Sequence, residues 1–198
     1  MKPTFLLTKR ILVLSLFYSL LVISSNAQQA VNIQNKQSID TSGFLDSAHH
    51  WYDIYDENKL INSLSHRPKY KLNEIEKIAD NILLFQKTNG GWPKNFDMQA
   101  ILTKEQKDTI NRAKELTNTT FDNGATHSQV EYLAKAYLAT KIDSFKDGCL
   151  RGIDFMLAAQ YPNGGWPQFY PDTSGYRKYI TFNAGAMTGI MKVLQNII

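Results

Sequence analysis

Apolar residues recur along this chain with the period of a helix. Ile75, Ile78, Ala79, Ile82 and Leu83 fall at i, i+3, i+4, i+7 and i+8. Val130, Leu133, Ala134, Tyr137 and Leu138 repeat that spacing; Leu150, Ile153 and Leu157 mark a third stripe, and Ala186, Ile190, Val193, Leu194 and Ile197 a fourth. Each stripe predicts an amphipathic helix that must bury one face against a partner. No run alternates apolar and polar residues as a strand would. The pattern is helical from Lys71 onward and predicts an all-α domain over 71–198. Residues 28–70 are rich in Gln, Asn and Ser, with Trp51, Tyr52 and Tyr55 but little periodicity, and read as a polar N-terminal tail leading into a loosely packed cap.

Residues 1–27 follow a different rule. Lys2, Lys9 and Arg10 precede an apolar run from Ile11 to Ile23, and Ser25-Asn26-Ala27 supplies small residues after it. That order predicts a secretory signal peptide. The run is shorter than the ~20 residues a spanning helix needs, so a secreted or periplasmic product with no stable membrane association is expected. Its removal also changes the charge. Taking those three basic residues from the 22 Lys and Arg leaves 19, against 18 Asp and Glu. The sequence pI of about 9.0 is then no sign of a nucleic-acid partner. Cys149 is the single cysteine, which excludes an internal disulfide and fits a small buried hydrophobe.

The stripes are punctuated by a repeat. Gln86-Lys-Thr-Asn-Gly-Gly-Trp92-Pro93 returns 74 residues later as Gln160-Tyr-Pro-Asn-Gly-Gly-Trp166-Pro167. Thr120-Phe-Asp-Asn-Gly-Ala125 is echoed by Thr181-Phe-Asn-Ala-Gly-Ala186. Each copy runs helix, NGGWP, loop, TF-x-x-GA, helix. Glycine stops a helix by taking a left-handed conformation, and proline prevents its resumption. Asp122 or Asn123, and Asn183, sit where a helix N-cap belongs. Because one helix ends at NGGWP and the next begins at TF-x-x-GA, both motifs belong at the same end of the helical array. Loops 89–123 and 161–183 are expected to converge on one face.

These motifs resemble the pectate lyases of polysaccharide lyase family 10. The matching segments are IADNILLFQKTNGGWPKN (Ile78–Asn95), TFDNGATHSQ (Thr120–Gln129), AQYPNGGWPQFYP (Ala159–Pro171) and YITFNAGAM (Tyr179–Met187). The resemblance implies (α/α) toroid-type helical hairpin repeats, incomplete at the C-terminus, and cleavage of polygalacturonate (pectin) by calcium-assisted β-elimination. It implies that Gln86 satisfies helix-end groups while Trp92 packs the joint, as Gln160 and Trp166 do in the second copy. It also implies that the catalytic arginine and a third repeat lie downstream of residue 198, so that no catalytic base is expected in this chain and apolar edges are left exposed. The family pattern reads TFN-Asp-GAM where this chain has Ala184, and that aspartate is a calcium ligand. Calcium is therefore expected but weakened.

Elimination removes the proton beside a uronate carboxylate, and that carboxylate activates poorly until its charge is neutralised by a metal ion, Lys or Arg. A neutral arginine is a strong but scarce base near neutrality, which points to alkaline conditions. Asp122 fits a helix cap by spacing and a calcium ligand by resemblance. The candidate substrate-binding residues are Lys94, Asn95, Asn123, His127, Arg177 and Lys178, each also open to an ordinary solvated or structural role. Asn118-Thr119-Thr120 fits a glycosylation triplet and equally a short polar loop. A non-catalytic pectin-binding or vestigial module is the alternative. A glycoside hydrolase would need two carboxylates flanking a bond, and no such pair is apparent.

Overall fold

Helix ends, more than helix middles, explain this fold. The computed structural model describes residues 38–55, 57 and 59–197; the predicted signal peptide, residues 1–27, lies outside the described residues. Among these residues there are six α-helices: α1 Leu45–Asp53, α2 Ile75–Phe85, α3 Lys104–Arg112, α4 His127–Thr140, α5 Asp143–Ala159 and α6 Ala186–Ile197. Extended pairing is confined there to isolated bridges between loops. The all-α expectation holds.

Helix α2 buries Ile78, Ala79, Ile82 and Phe85. After Phe85 the chain turns through Gly90, whose φ is 91°. A Cβ on Gly90 would lie 2.3 Å from the Arg151 carbonyl oxygen, so the turn needs glycine for both its handedness and its closeness. Gln86 Nε2 donates to the carbonyls of Gly90 and Gly148, both at 2.9 Å, and Trp92 Nε1 donates to Ile82 O at 2.7 Å. Lys114 Nζ reaches Leu83 O and Gln86 O at 2.8 Å. Lys114 thereby satisfies carbonyls that the helix end leaves orphaned, and the indole is a second donor to Ile82 O, which also accepts the Gln86 N–H. The second copy repeats the device. Gln160 Nε2 donates to Gly164 O (3.1 Å) and Trp166 Nε1 to Met156 O (2.8 Å).

Helices α4 and α5 form an antiparallel hairpin joined at Lys141, whose φ is 60°. The predicted stripe on α5 is displaced. Leu150 and Leu157 are each 50% exposed, and the buried face is Phe145, Cys149, Ile153 and Met156 with Gly148 and Gly152. The reason is close approach. A Cβ on Gly148 would lie 2.3 Å from Leu83 Cδ2, and one on Gly152 2.4 Å from Val130 Cγ2 and 2.8 Å from Trp92 Cζ3. Two missing side chains let α5 sit against α2, α4 and the Trp92 ring. Cys149 is buried there, which pushes its thiol up to about 11.

Two helices were not in the periodic pattern. Helix α3 lies inside the stretch read as loop 89–123. It buries little besides Ile110, so it shows no stripe. It is set instead by a capping box, with Gln106 N–H on Thr103 Oγ1 (3.2 Å) and Thr103 N–H on Gln106 Oε1 (3.0 Å). Helix α1 lies inside the stretch read as tail and cap. There Ile39, Phe44, Trp51 and Ile61 are buried in the same core as α2 and α5, and Trp51 Nε1 donates to Ile61 O at 3.1 Å. Ile39–Ile198 form one compact unit. On its second repeat Tyr176, Tyr179, Phe182 and Met191 stand exposed.

Candidate functional site

The two repeat loops meet through backbone hydrogen bonds. Thr120 N–H donates to Trp92 O (3.0 Å), Phe121 N–H to Gln168 O (3.0 Å) and Tyr170 N–H to Thr119 O (3.3 Å). Thr120 Oγ1 adds a bond to Gln168 O at 2.7 Å. The turns Asp122–Gly124 and Asn183–Gly185 pack against each other. Convergence on one face is therefore built by strand-like pairing of loops.

That pairing sets Lys94 beside Asp122. The Lys94 ammonium is ion-paired with Asp122 Oδ2, and the Asp122 side chain is only 7% exposed against 29% for Lys94. Asp122 does not cap a helix. Its own N–H donates to Thr120 Oγ1 (3.0 Å), and α4 begins only at His127, behind Thr126. The carboxylate is thus free of capping duty and committed to a cation. Lys94 Nζ lies 5.3 Å from the centre of the Phe169 ring, and Arg177 Cζ 5.0 Å from the same centre. One aromatic ring therefore adjoins two cations from opposite repeats. Arg177 is ion-paired with Asp172. Hydrogen bonds from Ser174, with help from Arg177, hold the Asp172 carboxyl below its usual range. An open cleft of about 280 Å³ lined by Leu116, Thr117, Asn118, Phe169, Asp172 and Arg177 adjoins the pair.

The remaining candidates divide. Asn123 Nδ2 donates to Asn95 Oδ1 (2.9 Å). Ser47 of α1 ties the two ends of the first loop, donating to Asn123 O (2.9 Å) and accepting from Asn95 N–H (3.3 Å). Lys178 lies exposed over Tyr179. His127 is packed under α6, where a Cβ on Gly189 would lie 2.4 Å from its Cε1. Its Nε2 is buried without a partner among the described residues, and burial, partly offset by Glu131, pushes the imidazole down to about 4. Protonation is thus easier in the unfolded chain. As pH falls through about 6.5, protons favour unfolding, and the penalty is complete near pH 4. His127→Gln is expected to flatten the stability profile over that window by on the order of 1–3 kcal/mol, read from urea midpoints at several pH values.

Backbone strain gathers here. Asn95, Asn123 and Thr126 have φ of 65°, 52° and 66°. Thr126, with ψ of −60° and His127 N–H donating to Ala125 O across it at 2.9 Å, is the centre of a γ-turn of the rare, strained hand. For a β-branched residue such a conformation costs on the order of 1–3 kcal/mol.

Calcium fits this donor set poorly. The ion takes about six to eight oxygens, carboxylates foremost. Asp122 is already neutralised by Lys94, Asn95 Oδ1 is engaged by Asn123, and alanine at 184 carries no side-chain oxygen. Among the described residues no three His, Cys, Asp or Glu are grouped to hold a metal.

A family model for pectic acid lyase matches residues 86–198. A family 10 polysaccharide lyase from Cellvibrio cellulosa is 29% identical with a TM-score of 0.48, over 68% of this chain and 41% of that one. An aspartate-to-alanine mutant of a family 10 lyase from the same organism, in complex with trigalacturonic acid, is 29% identical with a TM-score of 0.47, over 62% and 38%. The chain thus spans about two fifths of the length of those lyases. No curated protein matches it. The matched span takes in both NGGWP turns, both TF-x-x-GA turns and the Lys94–Asp122 pair, more than half of the sequence, and by it the chain belongs to the pectic acid lyase family.

Proposed function

We propose that this chain is the polygalacturonate-binding part of an exported pectate lyase, and that Lys94 and Arg177 receive the uronate carboxylates. The observation that carries the reading is the Lys94–Asp122 pair of the first repeat, flanked through Phe169 of the second by Arg177. A polyuronate presents one negative charge per sugar. Lys94 and Arg177 are each held on a carboxylate by part of their N–H set and keep further donors, and hydrogen bonds from those donors stabilise the charge that develops on the uronate as its neighbouring C–H is removed. Asp122 holds Lys94 in place, and the Asn95–Asn123 pair offers amide hydrogen bonds to hydroxyls. No residue here is assigned the proton abstraction. The α4–α5 hairpin, with α2 and α6 packed on α4, suits one sector of an (α/α) toroid. The basic, apolar, small-residue order of 1–27 supports export, and no helix among the described residues is long and apolar enough to cross a membrane.

Ala184 favours a second reading, binding without cleavage. One experiment separates the two. Trigalacturonate is titrated calorimetrically into the chain, and polygalacturonate is followed by ultraviolet absorbance of the unsaturated product. Binding with product formation supports the lyase, binding alone supports the module, and no binding sinks both.

Trigalacturonate binding is expected to change little on chelation in this chain. Ala184→Asp adds a carboxylate to the turn packed against Asp122 and is expected to make binding calcium-dependent by about tenfold or more. Equal titrations with calcium and with chelator in that variant would count against the donor-set account.

A further inference from the structure

The two repeats differ at one hydroxyl. Trp92 N–H donates to Thr126 Oγ1 at 3.2 Å, and in the second copy Trp166 N–H points to Met187 Sδ at 3.4 Å. Thr126 and Met187 hold the same place, six residues after the threonine of TF-x-x-GA. Their backbones do not match. Helix α6 begins directly at Ala186, with φ −49° and ψ −54°, so Met187 is helical. In the first copy Ala125 stays extended at φ −65° and ψ 154°, and the γ-turn at Thr126 delays α4. The strained turn thus belongs to the copy that carries Lys94 and Asp122. At the matching places the second copy has Gln168 and Asn183, both uncharged.

Glycine would adopt this γ-turn without strain. Threonine brings a hydroxyl that is fully used. Thr126 Oγ1 donates to Thr120 O at 2.8 Å while accepting from Trp92 N–H, and the side chain is buried. Lys94 is two residues beyond Trp92, and Asp122 two beyond Thr120. A single hydroxyl therefore reinforces the Thr120 N–H bond to Trp92 O, bracing the two ends of the first loop at equal remove from the two charges. We propose that Thr126 is a positioning residue, whose strained turn and hydroxyl hold Lys94 on Asp122 at the spacing that receives a uronate carboxylate. This rests on the reading of that pair as the polygalacturonate site.

The test reads the ion pair and the binding separately. In the full chain, acylation of individual lysines by a water-soluble anhydride is followed by mass spectrometry, with Lys104, exposed on α3, as internal control. Thr126→Val is expected to speed acylation of Lys94 several-fold relative to Lys104, with Thr126→Ser returning it to the wild-type rate. Trigalacturonate affinity is expected to fall about tenfold in the Val variant and recover in the Ser variant. Unchanged Lys94 acylation in a folded Thr126→Val chain would overturn the proposal. Loss of fold in both Thr126→Val and Thr126→Ala would do the same, by making the hydroxyl structural only. Failure of the wild-type chain to bind trigalacturonate would instead sink the proposed function, while the acylation rates still decide whether Thr126 sets the pair.

Discussion

Trp92→Ala is expected to be the most destabilising single change in this chain, by about 3–5 kcal/mol. Trp92 is fully buried, and its ring fills the space that Gly152 leaves open on α5. Truncation empties that space, and α5 cannot close it, because Val130 and Leu83 already hold the helix at its nearest approach. It also removes the second of two donors to Ile82 O, which accepts the indole N–H at 2.7 Å and keeps the Gln86 N–H at 3.1 Å, a further loss of about 1 kcal/mol. A domain stable by about 5–15 kcal/mol would be left marginal. Trp92→Phe keeps most of the volume and loses the donor, so its loss should be nearer 1–2 kcal/mol. Urea unfolding followed by circular dichroism gives both numbers. A Trp92→Ala chain within 1 kcal/mol of wild type, against the ~3 expected, would show that the indole is not the joint.

How much of this was legible follows from what makes each element. Helices α2, α4 and α6 bury an apolar face, so their residues carry the period. Helix α3 is held at its start by Thr103 and Gln106 and buries little beyond Ile110; its sequence signal was the T-x-x-Q spacing. Helix α1 contributes Trp51 and Ala48 to a core assembled from distant segments, and nine residues are too few to show a stripe. On α5 the period misled because the closest contacts are made by Gly148 and Gly152. A glycine counts as nothing in a hydrophobic pattern, yet here it decides which face turns inward.

The candidate site shows the same division. Asp122 sits in a repeated motif and Lys94 directly follows one, and the motif order alone brings them to one end. Phe169, Asp172, Ser47 and Thr126 were not singled out. Phe169 and Asp172 matter only once residues 167–170 pair with 119–121. Ser47 acts from a helix that had no sequence signal. Thr126 had one, since aligning the copies sets it against Met187, but a lone threonine at a helix start reads as a cap. His127 lies one residue away and is buried under Gly189. Position in a motif therefore placed residues near the site without saying which way they face.

Lys94→Ala is expected to have the largest effect on binding. The Lys94 head group meets Asp122 on one side and the Phe169 ring on the other, so it is held with N–H donors left for a uronate carboxylate. Removing it deletes one ionic contact and leaves the mostly buried Asp122 carboxylate facing an incoming anion. Losing one member of such a pair weakens binding by about 2–5 kcal/mol, or roughly 30-fold at the lower end. Stability should fall less, by about 1–2 kcal/mol, because Lys94 is 29% exposed and water screens the unpaired charge. The double variant Lys94→Ala with Asp122→Asn separates repulsion from lost attraction. Neutralising the orphaned carboxylate is expected to restore part of both the affinity and the stability, whereas Asp122→Asn alone frees Lys94 and loosens its aim. Calorimetric titration with trigalacturonate across the four chains gives the coupling. Purely additive losses would mean that Lys94 and Asp122 act independently, and wild-type affinity in Lys94→Ala would remove Lys94 from the site.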